Sequence, residues 1–228
     1  MDGLLLVLTY MPNGDLAHLL SQHPHGLPLA QAVAIAQAVL AALQGAHAHP
    51  LEIVHRDVKP SNILFDGQGQ AYLGDFGLAQ VANTSGSLTR LRGGSVGTPL
   101  YAAPEQEKGI GYVTPGADLY ALGCVLFEML TGKRYKRVKP GTRASSLRGE
   151  TPAWLDEVVE KRWRTRWSRW ESAAEMAAAL DAEAPEAAER ERQAREAEVA
   201  RQAELKRQPE AAERQPELKR QAMKRSRN

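Results

Sequence analysis

His55-Arg56-Asp57-Val58-Lys59-Pro60-Ser61-Asn62-Ile63-Leu64 is the stretch that decides how this chain is read. It places a carboxylate, an ammonium and a side-chain amide close together, at Asp57, Lys59 and Asn62. Apolar pairs bracket it: Ile53-Val54 and Ile63-Leu64-Phe65 read as short strands, so the polar groups sit on a loop between them. Asp66-Gly67 is a turn, and residues 71–73 return as a hairpin partner. Asp75-Phe76-Gly77 follows thirteen residues after Asn62, and Ala103-Pro104-Glu105 comes later. Each triplet alone is more often an ordinary turn. Their order and spacing carry the information.

Outward from this stretch, residues 4–10 form an apolar run that reads as a buried strand. Pro12-Asn13-Gly14 is a turn, and Asp15 is an N-cap for a helix over residues 16–20, which His23-Pro24-His25-Gly26 ends. From Pro28 to about His47 the spacing of Leu29, Val33, Ile35, Ala36, Val39, Leu40 and Leu43 predicts a long, largely buried helix. Residues 79–97 are rich in Gly, Ser, Thr and Arg and read as a long exposed loop. An apolar helix is expected from Asp118 to Leu130, closed by Gly132. Residues 133–149 read as basic and irregular, and helices are expected over 152–162 and 171–180.

Composition changes near residue 183. The remainder is almost entirely Ala, Glu, Arg, Gln and Lys, and Pro185-Glu186-Ala187-Ala188-Glu189-Arg190 recurs at 209–214. This is a helix-prone, low-complexity tail with charges of both signs. Val199, Leu205, Leu218 and Met223 are too few to line a coiled-coil seam, and Pro209 and Pro216 interrupt any helix.

The chain has 228 residues and a formal net charge of +2, which gives no global electrostatic case for nucleic acid. Trp163, Trp167 and Trp170 stand among basic residues, where local packing is the better reading. The single cysteine, Cys124, lies in an apolar run and reads as a small buried hydrophobe, in keeping with a reducing compartment. Residues 4–8 are too short for a membrane span, so a cytoplasmic protein is expected. His18, His23, His25, His47 and His49 have no metal-ligand pattern and read as surface or helix-end residues.

Taken together, the motifs resemble those of the Ser/Thr branch of the eukaryotic-type protein kinases, in particular their bacterial members, over about residues 3–182. The resemblance implies a mainly α fold: a kinase C-terminal lobe with short β-hairpins, at residues 1–182, followed by the tail at 183–228. It implies ATP and Mg²⁺ (Mn²⁺ as the alternative ion) and protein substrates bearing Ser or Thr. Asp57 would accept or orient the proton of the acceptor hydroxyl, Lys59 would sit beside the transferred phosphate, and Asn62 and Asp75 would hold the metal ions. Thr98 would contact the catalytic aspartate and lysine. Leu8 would be the gatekeeper, the backbones of Thr9 and Met11 would face the adenine edge, and Leu64 would form its floor.

Arg56 before the catalytic aspartate implies an activation loop ordered by phosphate, with Thr84, Ser85, Ser87, Thr89 and Ser95 as candidate acceptors. The resemblance also gives structural roles. His55 and Phe76 would stack, with Gly77 completing the second triplet; Glu105 would pair with Arg169; Asp118 would hold the backbone of the catalytic loop.

Nothing before Leu4 matches the family's Gly-rich loop, strand lysine or helix glutamate, so the N-lobe sheet is expected to be largely absent and the activity of this chain alone impaired. Two alternatives stand beside the kinase reading. One is a non-catalytic binding module presenting its helical surface or tail to a partner. The other is a C-lobe completed in trans by a separate N-lobe, docked on the exposed first strand.

Overall fold

The structure is a computed structural model and describes residues 9–76, 80–81, 100–107, 113–161, 170–182, 196 and 201. The chain divides into two compact units, residues 1–184 and 185–228. The fold described here is that of the first.

Its centre is helix α4 (Pro115–Thr131), in which every residue from Ala117 onward is buried. Pro115 occupies the first turn, where its missing N–H is no loss, so the helix begins earlier than the expected Asp118. Gly132 ends it in the left-handed conformation (φ 68°), donating its N–H to Glu128 O. A long helix, α2 (Leu29–His47), packs on α4 through the apolar residues its periodicity predicted, from Leu29 to Leu43. Helix α2 is long and apolar enough to cross a membrane, but Val39, Leu40 and Leu43 are wholly buried in the protein core. Helix α6 (Ala153–Glu160) also packs on α4, with Leu155, Val158 and Val159 buried. Helix α1 (Leu16–Ser21) is capped by Asp15, which accepts the His18 N–H at 2.8 Å, and buries Leu16 and Leu20.

The corner between α1 and α2 locks onto the end of α4. Leu27 N–H donates to Met129 O, and a methyl group on Gly26 (φ 96°) would lie 2.3 Å from Leu130 O. One on Gly132 would lie 2.1 Å from Pro24 O. Both positions need glycine, for conformation and for space.

Two short antiparallel pairs lie beside the helices. Strand β1 (Ile53–Val54) pairs with β4 (Gln80–Val81), and β2 (Ile63–Phe65) with β3 (Ala71–Leu73). Strand β4 lies where an exposed loop was expected. Its two residues are set by pairing with β1, a partner distant in sequence. Ile63 and Phe65 enter the core, while Leu64, opposite Tyr72, takes the other face. The segment before α1 runs alongside β2: Phe65 N–H donates to Gly14 O, and Asp15 bridges to Leu64.

The basic stretch after α4 contains a 3-10 turn at Tyr135–Arg137 and the short helices' worth of order at α5 (Ala144–Leu147), so it is less irregular than expected. Helix α3 (Pro104–Glu107) precedes α4, and α7 (residues 173–182) closes the unit. Trp170 is buried, donates its indole N–H to Val158 O and lies under Lys161, so it packs the final helices together. Cys124 is buried in α4, as its apolar surroundings in the sequence suggested.

Candidate active site

The loop between β1 and β2 is built on one buried carboxylate. Asp118, in the first turn of α4, is fully buried. Its Oδ1 accepts the Arg56 N–H at 2.7 Å, and its Oδ2 accepts the His55 N–H at 2.8 Å. His47, in the last turn of α2, donates from Nε2 to the same Oδ2 at 2.9 Å, since a carboxylate there can only accept. The His47 Nδ1 is buried without a hydrogen-bond partner. Reading His47 as a helix-end residue was correct but missed this contact. No local pattern announces a bond across 71 positions of sequence.

Arg56 holds a left-handed backbone (φ 69°), unusual for a residue with a β-carbon. Burial lowers the pKa of its guanidinium from the ordinary value, and the nearby Asp118 carboxylate opposes that shift. Its carbonyl accepts from Gln106 Nε2 at 3.0 Å, and Gln106 Oε1 accepts the Ala103 N–H at 2.8 Å. Gln106 thus ties the loop to the Ala103-Pro104-Glu105 segment, a role that its place after that triplet did not suggest.

The ring of His55 is fully buried and turned by two bonds. Its Nδ1 accepts the Asp57 N–H at 3.3 Å, which leaves Nε2 as the donor to Gly74 O at 2.9 Å. His55 meets the Phe76 ring edge to face, with centroids 4.6 Å apart. The two rings meet edge to face where stacking was expected, and the contact joins the first loop to the Asp75-Phe76 segment.

The polar groups converge on Asp57. Lys59 Nζ donates to Asp57 Oδ2 at 2.7 Å, and Asn62 Nδ2 donates to Asp57 O at 2.8 Å and to Oδ2 at 3.2 Å. The 3-10 turn Pro60–Asn62 brings Asn62 back toward Asp57; Pro60 opens that turn, where its fixed φ suits. Asp75 also has a left-handed backbone (φ 58°) and an exposed side chain. Gly74 N–H donates to Asn62 O at 2.8 Å, so Asp75 is carried next to the Asn62 strand end. Gly74 lies against Leu64, whose Cδ1 would be 3.0 Å from any β-carbon there.

The structure therefore brings Asp57, Lys59, Asn62 and Asp75 into one cluster, with His55, Arg56, Phe76 and Asp118 behind it. Leu64 is half-buried on the face away from the core, and Thr9 and Met11 lie on the segment that leads to Asp15. Glu105 is on α3. Leu8, Gly77, Thr84, Ser85, Ser87, Thr89, Ser95, Thr98 and Arg169 lie outside the described residues, as do residues 4–8 of the buried strand expected over 4–10; Thr9 and Tyr10, the part that is described, are exposed and in no strand.

The donor set suits a hard divalent ion. The Asn62 amide commits its N–H groups to Asp57, which turns its oxygen elsewhere, and Asp75 supplies a carboxylate. Mg²⁺ takes one or two such protein oxygens and completes its shell with phosphates and water.

Comparison with known proteins agrees with this geometry. The family model described as protein kinase domain matches residues 1–202. Over 173 residues the chain is 41% identical to serine/threonine-protein kinase PknD of Mycobacterium tuberculosis, covering 70% of this chain and 25% of that protein. It is 48% identical over 133 residues to serine/threonine-protein kinase PknE of the same species, covering 58% and 22%. Serine/threonine-protein kinase PBL35 of Arabidopsis thaliana is 41% identical over 134 residues, covering 58% and 27%. The chain spans about a quarter of the length of these curated relatives. With its motifs folded around Asp57 and a family match over most of its length, the chain belongs to the protein kinase domain family.

Proposed function

We propose that this chain serves protein Ser/Thr phosphorylation, with ATP as phosphoryl donor and Mg²⁺ as the ion. One observation carries the reading: Lys59 and Asn62 both donate to the carboxylate oxygen Oδ2 of Asp57, on a loop whose backbone is anchored to Asp118. Asp57 orients the acceptor hydroxyl and takes its proton as that oxygen bonds the γ-phosphorus of ATP, while the bond from this phosphorus to the oxygen it shares with the β-phosphate breaks and ADP leaves. Lys59 stands beside that oxygen and counters the negative charge spread over the phosphoryl group. Asn62 and Asp75 would hold Mg²⁺, which would supply positive charge against the phosphates. Thr98 favours Ser or Thr as acceptor. Leu8, Thr9, Met11 and Leu64 contact adenine, and Thr84, Ser85, Ser87, Thr89 and Ser95 are the candidate activation-loop acceptors.

The kinase unit is assigned to residues 1–182 and the tail to 183–228. We assign the protein to the cytoplasm, a reading supported by its having a single cysteine, the buried Cys124.

The test is incorporation of labelled phosphate from ATP and Mg²⁺ into a protein acceptor. It is run on the full chain, alone and fused behind the Gly-loop lobe of a family member. The fusion is expected to label Ser or Thr, and Asp57→Asn to lower the rate by about 10²–10⁴-fold. An unlabelled acceptor in the fusion, or an unchanged rate in Asp57→Asn, overturns the reading. Retention of a partner protein by such an inactive chain would favour the binding-module alternative.

A further inference from the structure

Beside the catalytic loop lies a groove of about 510 Å³, walled by α1 on one side and by the turn after α4 on the other. Pro60, the neighbour of Lys59, lines it, and so do Lys133, Arg134 and Arg137. Glu128 is the one carboxylate in its lining among the described residues, and it is already engaged. Its Oε2 accepts the Tyr101 hydroxyl at 2.5 Å and its Oε1 faces Arg134 Nε at 3.3 Å. Burial, and then Glu128 itself, raise the pKa of the Tyr101 hydroxyl, so the phenol keeps its proton and its role as donor. The negative charge in the wall is therefore spent on Arg134. Lys133 and Arg137 remain, both exposed and without a side-chain ion pair among the described residues.

The larger cavity, of about 1320 Å³, differs in kind. It lies between α6 and the turn before α5, its Arg143 is paired with Glu160, and it has no catalytic-loop residue in its lining.

We propose that this groove binds the acceptor segment of the protein substrate through Asp or Glu side chains close to the Ser or Thr that is phosphorylated. The inference rests on the kinase reading above and adds the substrate class to it. A peptide whose hydroxyl reaches Asp57 passes Pro60, and in extended form it advances about 3.3 Å per residue. A residue a few positions from the acceptor therefore lies over Lys133 and Arg137. A carboxylate there meets two uncompensated positive charges; a lysine or arginine there meets repulsion from the same pair.

The experiment is equilibrium binding of fluorescein-labelled peptides to the full chain, read by anisotropy without ATP. Twin peptides share one Thr acceptor and carry Asp/Glu or Lys/Arg on its flanks. Phosphate incorporation into the same peptides is followed in parallel with the chain fused behind the Gly-loop lobe. The acidic peptide should bind about three- to tenfold more tightly at low ionic strength, the ratio shrinking in high salt. Lys133→Glu with Arg137→Glu should reverse the order. Lys139→Glu, exposed and outside the groove lining, should leave it unchanged. Equal binding of the twins, or an order that survives the double charge reversal, overturns this inference. Acid-selective binding with no phosphate incorporated counts against the kinase reading and leaves the groove standing. Incorporation without charge preference does the opposite.

Discussion

Replacing Asp118 by asparagine tests the foundation of the site. The carboxylate accepts three bonds: Arg56 N–H on Oδ1, and His55 N–H and His47 Nε2 on Oδ2. Asparagine keeps the shape but offers one acceptor oxygen. Its NH₂ must face at least one of the three donors, so one bond is lost and a buried N–H is left facing another. Each hydrogen bond to a charged acceptor contributes about 1.5–3 kcal/mol, and unbalancing a buried charged network costs about 3–5 kcal/mol. For a unit of this size, about 2–4 °C per kcal/mol gives a fall in Tm of about 6–20 °C. Circular dichroism melts measure the loss. Hydrogen exchange resolved at the His55 and Arg56 amides locates it. A Tm within about 2 °C of the parent, well below that range, with both amides equally protected, would show that Asp118 does not hold the loop.

Other perturbations follow from the same geometry. His47→Leu removes one donor to Asp118 and should cost about 1–3 kcal/mol in urea unfolding, with a smaller cost in the Asp118→Asn background, because the two act on one network. Gly132→Ala should lower the unfolding free energy in urea by more than the roughly 1–2 kcal/mol of a left-handed residue, since its methyl group also meets Pro24 O; an unchanged midpoint would contradict the packing of that corner. Tyr101 has its folded pKa raised above the ordinary value of about 10, so the stability it contributes is complete below pH 10 and is lost as pH climbs beyond it. Tyr101→Phe should remove that alkaline component from a pH series of unfolding measurements.

The helices were legible because their signals are local. The apolar spacing of α2, the Asp15 cap of α1 and the left-handed Gly132 each lie within a few residues of what they determine. The β2–β3 hairpin was legible for the same reason, its turn lying between its strands. Strand β4 was not: Gln80 and Val81 become a strand only by meeting Ile53 and Val54, and their own composition reads as loop. The start of α4 was placed late, at Asp118, whereas Pro115 takes the first turn and leaves Asp118 inside the helix, facing the catalytic loop. At the site, the reactive groups could be picked out by residue type and order. Their supports could not: the Gln106 bridge to Arg56 and the Tyr101 bond to Glu128 join residues tens of positions apart, with side chains that serve equally well on any surface.

The pairing of β1 with β4 has a consequence for the order of assembly. It closes a ring of chain from Val54 to Gln80, and the β2–β3 hairpin closes a smaller ring, from Ile63 to Leu73, inside it. Loop entropy grows slowly with length, about 0.6 kcal/mol per doubling, so the route with the smaller entropic cost closes the hairpin first and leaves two short limbs for the outer closure. Pulse-labelled exchange should then protect the hairpin amides before those of Val54 and Gln80; the reverse order would exclude this route. Asp57, Lys59 and Asn62 ride on one limb and Asp75 on the other. The groups that would act on phosphate are neighbours in sequence, yet they come into register only when the last ring shuts.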